Sequence, residues 1–174
     1  MALVWSNINT TEIASSVSSV ELSLSGGFSV YQLIVDGLTT SVSSANVWLR
    51  VSTDGGSTFI SGAGAYYWGG TYRYVAVSSS GASNRGVSGG DTKIILAEAL
   101  SPTDLVSLSY NLNGGPASDQ RFNIGGQYTN SGADYVQKGA TSGSYDTAAT
   151  ITDIQILPSS GNFDTGTIRL YGVV

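Results

Sequence analysis

Residues 47–59 read Val47-Trp48-Leu49-Arg50-Val51-Ser52-Thr53-Asp54-Gly55-Gly56-Ser57-Thr58-Phe59. Apolar residues at 47, 49 and 51 alternate with less apolar neighbours, which is the period-two pattern of a half-buried β-strand. Asp54 and the two glycines after it are typical of a tight turn, because aspartate bonds nearby backbone groups and glycine accepts positive φ. The stretch therefore predicts a strand, a turn and the start of a returning strand in an antiparallel β-protein.

Similar patterns along the chain predict about nine or ten short strands separated by turn residues. We expect an all-β, jelly-roll-like antiparallel β-sandwich over residues 20–174, preceded by an N-terminal arm over residues 1–19. Residues 20–24 and 28–35 predict a hairpin, and residues 78–90 predict a long polar loop. Residues 130–147 read as a turn-rich connection, and residues 101–104 as a short helical turn. The remaining predicted strands cover residues 47–52, 65–68, 71–77, 92–97, 106–112, 121–128, 150–157 and 167–173.

Composition excludes several classes of function. The formal net charge is -5 and the sequence pI is about 4.3, which argues against a nucleic-acid partner, since binding phosphates requires clustered Lys and Arg. The chain has no histidine and no cysteine, so disulfides, His- or thiolate-ligated metals and Ser-His-Asp or Cys-His catalysis are excluded. No apolar run approaches the ~20 residues that a membrane-spanning helix needs.

The acidic residues predict turns rather than chemistry. Nearly all the aspartates stand beside Gly, Ser, Thr or Asn, as turn-forming aspartates do. A glycosidase would need two carboxylates set about 5 or 9 Å apart, and the sequence marks no such pair. We therefore expect no enzyme activity, no catalytic residue, no metal site and no cofactor; a structural calcium held by dispersed oxygens stays open as the alternative.

An aromatic segment at residues 66–74 supplies the candidate contact residues. Tyrosine and tryptophan combine a flat apolar face with a hydrogen-bonding edge, which suits sugar rings or another protein. In a strand, Tyr66 and Trp68 share one face while Tyr67 takes the other, so packing in the core is the alternative role. The candidate glycan or protein contacts are Tyr66, Tyr67, Trp68, Tyr72, Arg73 and Tyr74.

Two resemblances follow from these motifs. Ser52 to Phe59 resembles the Asp-box hairpin of sialidase-like propellers, which is a repeated folding device there and occurs once here. The 47–59 stretch, the Tyr66-Tyr67-Trp68 block and the terminal segments 154–163 and 166–172 together resemble a family of small jelly-roll proteins and domains of tailed bacteriophages and prophages. The resemblance covers the chain from about residue 20 to the end and implies no catalytic residues.

That resemblance implies a bacteriophage virion structural protein, made in the host cytoplasm and exposed on the extracellular particle. The N-terminal residues lack the features of a secretory signal, so we expect release by lysis. We favour a tail fibre, spike or adhesin-like component in host attachment, with a host cell-surface glycan as partner. Capsid decoration and a free carbohydrate-binding module are the alternatives. A homotrimer is expected, with the N-terminal arm contacting other virion proteins or docking on its own domain.

Overall fold

The computed structural model describes residues 4–76, 79–114 and 121–173, with the backbone alone for residues 83–89. All helices and strands that the structure assigns within these ranges are β-strands, which confirms the all-β prediction. The strands are β1 Trp5–Ile13, β2 Val20–Ser23, β3 Val30–Thr40, β4 Ala45–Ser52, β5 Tyr66–Ala76, β6 Ser80–Asp91, β7 Ile94–Leu100, β8 Leu105–Asn113, β9 Arg121–Ser131, β10 Tyr135–Ala148, β11 Asp153–Pro158 and β12 Phe163–Val173.

The strands form two antiparallel sheets packed face to face. The larger sheet has eight strands in the order β1-β12-β3-β8-β9-β10-β5-β6, and the smaller has four in the order β2-β11-β4-β7. Without β1, β12 and the β9–β10 hairpin, the larger sheet reads β3-β8-β5-β6. Four strands in that order facing β2-β11-β4-β7 make a jelly roll, and the predicted jelly-roll-like sandwich is therefore confirmed.

The core lies between the sheets and follows from strand alternation. In β4, Val47, Leu49 and Val51 are buried while Trp48 and Arg50 are half-buried on the outer face, as the sequence pattern predicts. Tyr31 and Tyr110 bring their rings into the core from the larger sheet, and each hydroxyl donates a hydrogen bond to a backbone carbonyl. The two sheets thus bury one hydrophobic core between them.

The segment predicted as an arm contains a strand of the larger sheet. β1 pairs with β12 of the same chain from Trp5 to Ile13, with an irregularity between Asn7 and Asn9. Its other side is an edge of the sheet. Docking on the chain's own domain, one of the two expected alternatives, is therefore what the structure has for residues 5–13, and residues 1–3 lie outside the described residues.

The turn after β4 forms as predicted, but no returning strand follows it. The Ser52 hydroxyl donates to Asp54 Oδ1 at 2.7 Å, and the backbone N–H of Thr58 donates to the same oxygen at 2.9 Å. These hydrogen bonds hold the pKa of Asp54 below its usual value, and the one from Ser52 makes the largest contribution. β4 is already paired with β11 on one side and with β7 on the other, so a returning strand has no free edge of β4 to pair with. The chain therefore leaves this sheet and reaches β5 in the other.

Three other local predictions of hairpin or loop are wrong. Residues 20–24 and 28–35 do not form a hairpin, because β2 and β3 belong to different sheets. The predicted loop at 78–90 is largely β6, and the predicted turn-rich connection at 130–147 contains β10. The short turn expected at residues 101–104 is present, closed by a 3.0 Å hydrogen bond from the Asp104 N–H to the Ser101 carbonyl, and it does not extend into a helix. The sequence also predicts a turn at residues 113–118, of which residues 115–118 lie outside the described residues, as does Asp119.

Candidate functional site: an aromatic pocket beside the edge of the smaller sheet

The unequal width of the two sheets creates a pocket. The smaller sheet ends at β7, which packs against β5, β8, β9 and β10 of the larger sheet. Beside β7 the inner face of β5 and β10 is left partly uncovered, and an open pocket of ≈ 290 Å³ lies there. Its wall is built by β5, β7 and β10 together: Tyr72, Tyr74, Ala76, Glu98, Ala99, Tyr135 and Gln137.

Two tyrosines of β5 form the aromatic wall of the pocket. Tyr72 and Tyr74 point to the same side of the strand, with ring centroids 6.4 Å apart and planes inclined by 33°. Tyr74 lies directly opposite Gly81 of β6, where a Cβ would overlap the Tyr74 ring. A glycine is required there because the ring occupies the space that a side chain would fill. The neighbouring strand thus leaves room for the Tyr74 ring.

A buried hydrogen-bonded cluster holds the third tyrosine. The Tyr135 hydroxyl donates to the carboxylate of Asp104, and the Asn130 amide donates to that carboxylate at 3.3 Å and to the Tyr135 hydroxyl at 3.1 Å. Asp104 and Asn130 are both buried. The pKa of Tyr135 is raised to about 12. Burial is the largest cause, and the hydrogen bond and negative charge of Asp104 add to it. The Tyr135 hydroxyl therefore stays protonated into the alkaline range and keeps donating to Asp104.

Polar groups lie at the inner end of the pocket. Glu98 and Gln137 are nearly inaccessible to solvent, at 7% and 5% exposure, yet both line the pocket. The Gln137 amide donates to the Tyr128 hydroxyl at 2.9 Å. Tyr128 in turn lies over Gly139 of β10, which has no side chain to displace the ring. A carboxylate and an amide can exchange hydrogen bonds with the hydroxyls of a bound molecule.

Ala99 lines the pocket on the β7 side and has an unusual backbone conformation. Its φ is 58°, which is uncommon for a residue other than glycine. The pairing of β7 with β4 is irregular at this point, since Ala45 faces Leu100 while Val47 faces Ala97. The Asn46 side chain accepts a 3.0 Å hydrogen bond from the Ala99 backbone N–H. Irregular pairing of this kind redirects side chains and is frequent beside functional sites.

Two of the predicted contact residues belong to the core. Tyr66 is fully buried, and its hydroxyl donates to the Ile60 carbonyl at 2.9 Å and accepts from the Val51 N–H at 3.0 Å. Burial, the largest cause, raises the pKa of Tyr66 to about 12. Trp68 is buried as well. Core packing, the alternative role for these two residues, is therefore what the structure has.

The Trp68 indole is held by an acidic residue at the end of β6. Its Nε1 donates to Asp91 Oδ2 at 3.0 Å, and Lys93 forms a 2.5 Å ion pair with Asp91 Oδ1. Partial burial raises the pKa of Asp91, but hydrogen bonds from Lys93, Trp68 and Thr92 outweigh it and hold that pKa below its usual value. The Lys93 ammonium also lies 4.9 Å from the Trp48 ring centroid. This cluster connects the two sheets.

Tyr67 and Arg73 lie on the opposite face of β5, exposed on the outside of the larger sheet. The structure therefore divides the six predicted residues among three places: the pocket, the core and the outer face. Sequence reasoning missed Glu98, Gln137 and Tyr135. A signal existed for Glu98 alone, because it is the single charged residue within the apolar β7 strand.

Within the described residues, no group of three or more acidic side chains is placed to hold a metal ion. No helix among them has the length and apolar character needed to cross a membrane. Asp54, Asp91 and Asp104 each accept at least two hydrogen bonds, in the turn after β4, in the Trp68 cluster and in the Tyr135 cluster, respectively.

Comparisons with known proteins identify no family. No family model matches the chain, and no curated protein matches it. Among solved structures, the chain is similar to one titled "Structure of infectious bursal disease virus Gx strain", with 12% sequence identity and a TM-score of 0.15. The match covers 98% of this chain and 40% of the viral chain. A similarity at this level carries no argument about fold or function.

Proposed function

We propose that this chain is a non-enzymatic structural protein of a bacteriophage particle, exposed on a tail fibre, spike or adhesin-like component, that contacts a host surface glycan through the Tyr72 pocket. The pocket carries the proposal. Two tyrosine rings on one wall and a carboxylate and an amide at the inner end combine stacking surfaces with hydrogen-bonding groups. Sugar rings present the matching pattern of apolar faces and hydroxyl edges.

The size of the pocket limits the ligand. Small-molecule pockets usually measure about 300–1,000 Å³, and ≈ 290 Å³ stands at the lower end of that range. One sugar unit, such as a terminal residue or a branch of a surface polysaccharide, fits this volume better than a long oligosaccharide does. The Tyr135 hydroxyl is held by Asp104, so ordering of this side chain would oppose binding little.

The particle half of the proposal rests on the resemblance of the hairpin and terminal segments to phage jelly-roll proteins and on the composition. Charged residues are 11% of the chain, and Ser, Thr, Asn and Gly are abundant instead. A hydroxyl-rich surface with few charges suits a protein that works outside the cell and packs closely against neighbours. A homotrimer would match the symmetry of fibres and spikes.

Glycan binding is tested on an array of defined bacterial surface polysaccharides. We expect wild-type protein to bind a restricted set of saccharides, and we expect Tyr74→Ala and Ala76→Trp to abolish binding. The first variant removes a stacking ring and the second fills the pocket from its rim. Tyr67→Ala is the matched control, because it removes an exposed tyrosine from the opposite face of the same strand. Thermal melts establish that each variant folds.

Binding to no saccharide, or binding that survives both pocket variants, would contradict the glycan half of the proposal. Mass spectrometry of purified particles separates the alternatives. Specific glycan binding by a chain that is absent from particles would favour a free carbohydrate-binding module. Capsid decoration through an arm laid over neighbouring subunits would require β1 to give up its pairing with β12, if residues 5–13 were to form that arm.

A further inference from the structure

Gln137 presents a hydrogen-bond acceptor to the pocket between β5, β7 and β10. Its amide nitrogen donates to the Tyr128 hydroxyl at 2.9 Å, and its Oε1 accepts no hydrogen bond within the part of the chain that the structure describes. The side chain is 5% exposed, yet this oxygen is not among the described atoms that are both sealed from solvent and without a partner. Oε1 therefore reaches solvent through the pocket that Gln137 lines.

Glu98 supplies a second acceptor at the same end of the pocket. Its side chain is 7% exposed and lines the pocket beside Gln137. A carboxylate has about four acceptor sites, so Glu98 can accept from a ligand in addition to its contacts within the protein. The Tyr135 hydroxyl already donates to Asp104. No lysine or arginine occurs among the described lining residues, so the ligand has to bring the hydrogen-bond donors.

The aromatic wall narrows the choice of donor. Three tyrosine rings line the pocket, and those of Tyr72 and Tyr74 lie 6.4 Å apart. Aromatic faces attract cations, and ammonium groups are recognised in pockets walled by such rings. A net charge of -5 adds attraction at longer range. A sugar hydroxyl could donate to Gln137 as well, but only an ammonium group gains from the acceptors, the rings and the charge together.

We propose that the pocket takes the protonated amino group of an amino sugar, which donates to Gln137 Oε1 and to the Glu98 carboxylate beside the tyrosine rings. The inference rests on glycan binding in the proposed function and names the class of saccharide. An N-acetylated sugar lacks the positive charge and carries one N–H in place of three. It also adds bulk in a pocket of ≈ 290 Å³. Free amino sugars should therefore be distinguished from their acetylated forms.

The test uses the array of bacterial polysaccharides in two forms, one as isolated and one after complete N-acetylation with acetic anhydride. We expect the polysaccharides that bind wild-type protein to carry free amino groups, and acetylation should weaken their binding at least about tenfold. Tyr74→Ala and Ala76→Trp should abolish binding of the free-amine form. Higher salt should weaken it, because exposed charges are screened.

Glu98→Gln tests the carboxylate, since it keeps the size of the side chain and removes its charge. Binding of the free-amine form should weaken at least about tenfold, while Glu12→Gln should leave it unchanged. Glu12→Gln is the matched control, because Glu12 is exposed on β1 and the change in net charge is the same. Thermal melts establish that both variants fold. A second measurement needs no variant: glucosamine should shift the side-chain amide resonances of Gln137 in wild-type protein, and N-acetylglucosamine at equal concentration should not.

The outcomes separate this inference from the proposed function. Saccharides without amino groups that bind through the pocket, or binding that acetylation leaves unchanged, would overturn the inference while glycan binding stands. Equal shifts of the Gln137 resonances with the two sugars would overturn it too. Binding of free amines that survives Tyr74→Ala and Ala76→Trp would place the attraction elsewhere on the acidic surface and contradict it. Binding to no polysaccharide in either form would contradict the proposed function itself.

Discussion

The Tyr66 hydroxyl closes the end of the smaller sheet, and its removal should be costly. The register of β4 with β7 ends at Leu49 and Ile94, so the Val51 N–H has no strand partner on that side. The Tyr66 hydroxyl accepts from that N–H and donates to the Ile60 carbonyl. Tyr66→Phe keeps the ring in the core and removes only the oxygen. We therefore expect folding to persist with lower stability.

The magnitude follows from the groups left without a partner. A buried donor that loses its only partner costs about 1–3 kcal/mol, and here the Val51 N–H is fully buried. We expect the free energy of unfolding to fall by about 2 kcal/mol, which lowers Tm by about 4–8 °C in a chain of this size. Chemical denaturation with urea, followed by far-ultraviolet circular dichroism, gives the free energy directly.

Tyr67→Phe is the matched control, because Tyr67 is the next residue in the strand and is exposed. The Tyr67→Phe change should alter the free energy of unfolding by less than about 0.5 kcal/mol. Equal losses in the two variants would refute the account of Tyr66 as the partner that closes β4. A Tyr66→Phe protein as stable as the wild type would refute it as well.

Three further predictions concern local structure. Gly139→Ala should cost about 1–3 kcal/mol because the added Cβ overlaps the Tyr128 ring, whereas Gly125→Ala, which meets open space, should be neutral in the same urea titration. Asp54→Ala should lower Tm at neutral pH; since hydrogen bonding lowers the folded-state pKa of Asp54, that difference should shrink as pH falls through that pKa. Alkaline pH should destabilise the protein between about pH 10 and 12, because the pKa of Tyr66 rises from 10.0 to about 12 on folding. The stabilisation from the neutral Tyr66 hydroxyl is complete below pH 10 and is lost as the pH rises to about 12. Urea midpoints measured across that range check this prediction.

The fold class could be predicted because β4 and its turn are locally consistent. Their alternation and turn residues agree with the structure that tertiary contacts then reinforce. β10 and β6 could not be predicted in the same way, since glycine and serine have low strand propensity. Their neighbours supply what the sequence lacks: β10 is paired on both sides, and the rings of Tyr128 and Tyr74 cover Gly139 and Gly81. These segments thus form strands because of their contacts with neighbouring strands rather than because of their own residue preferences.

The pocket was half predictable for a similar reason. Tyr72 and Tyr74 stand close together in sequence and mark an aromatic strand. Glu98 and Tyr135 come from β7 and β10, and they join the pocket only because the smaller sheet ends beside β5. The unequal number of strands in the two sheets is a property of the whole chain, and no local pattern encodes it.

Image reconstruction of the complete particle shows whether this chain belongs to the tail. Purified particles from the strain that carries this gene are imaged, and the β-sandwich is fitted to the density. We expect a few copies, in multiples of three, at the tail fibre or spike, with the pocket between β5, β7 and β10 open to the exterior. Hundreds of copies spread over the capsid shell, or no density for this chain anywhere on the particle, would contradict this expectation.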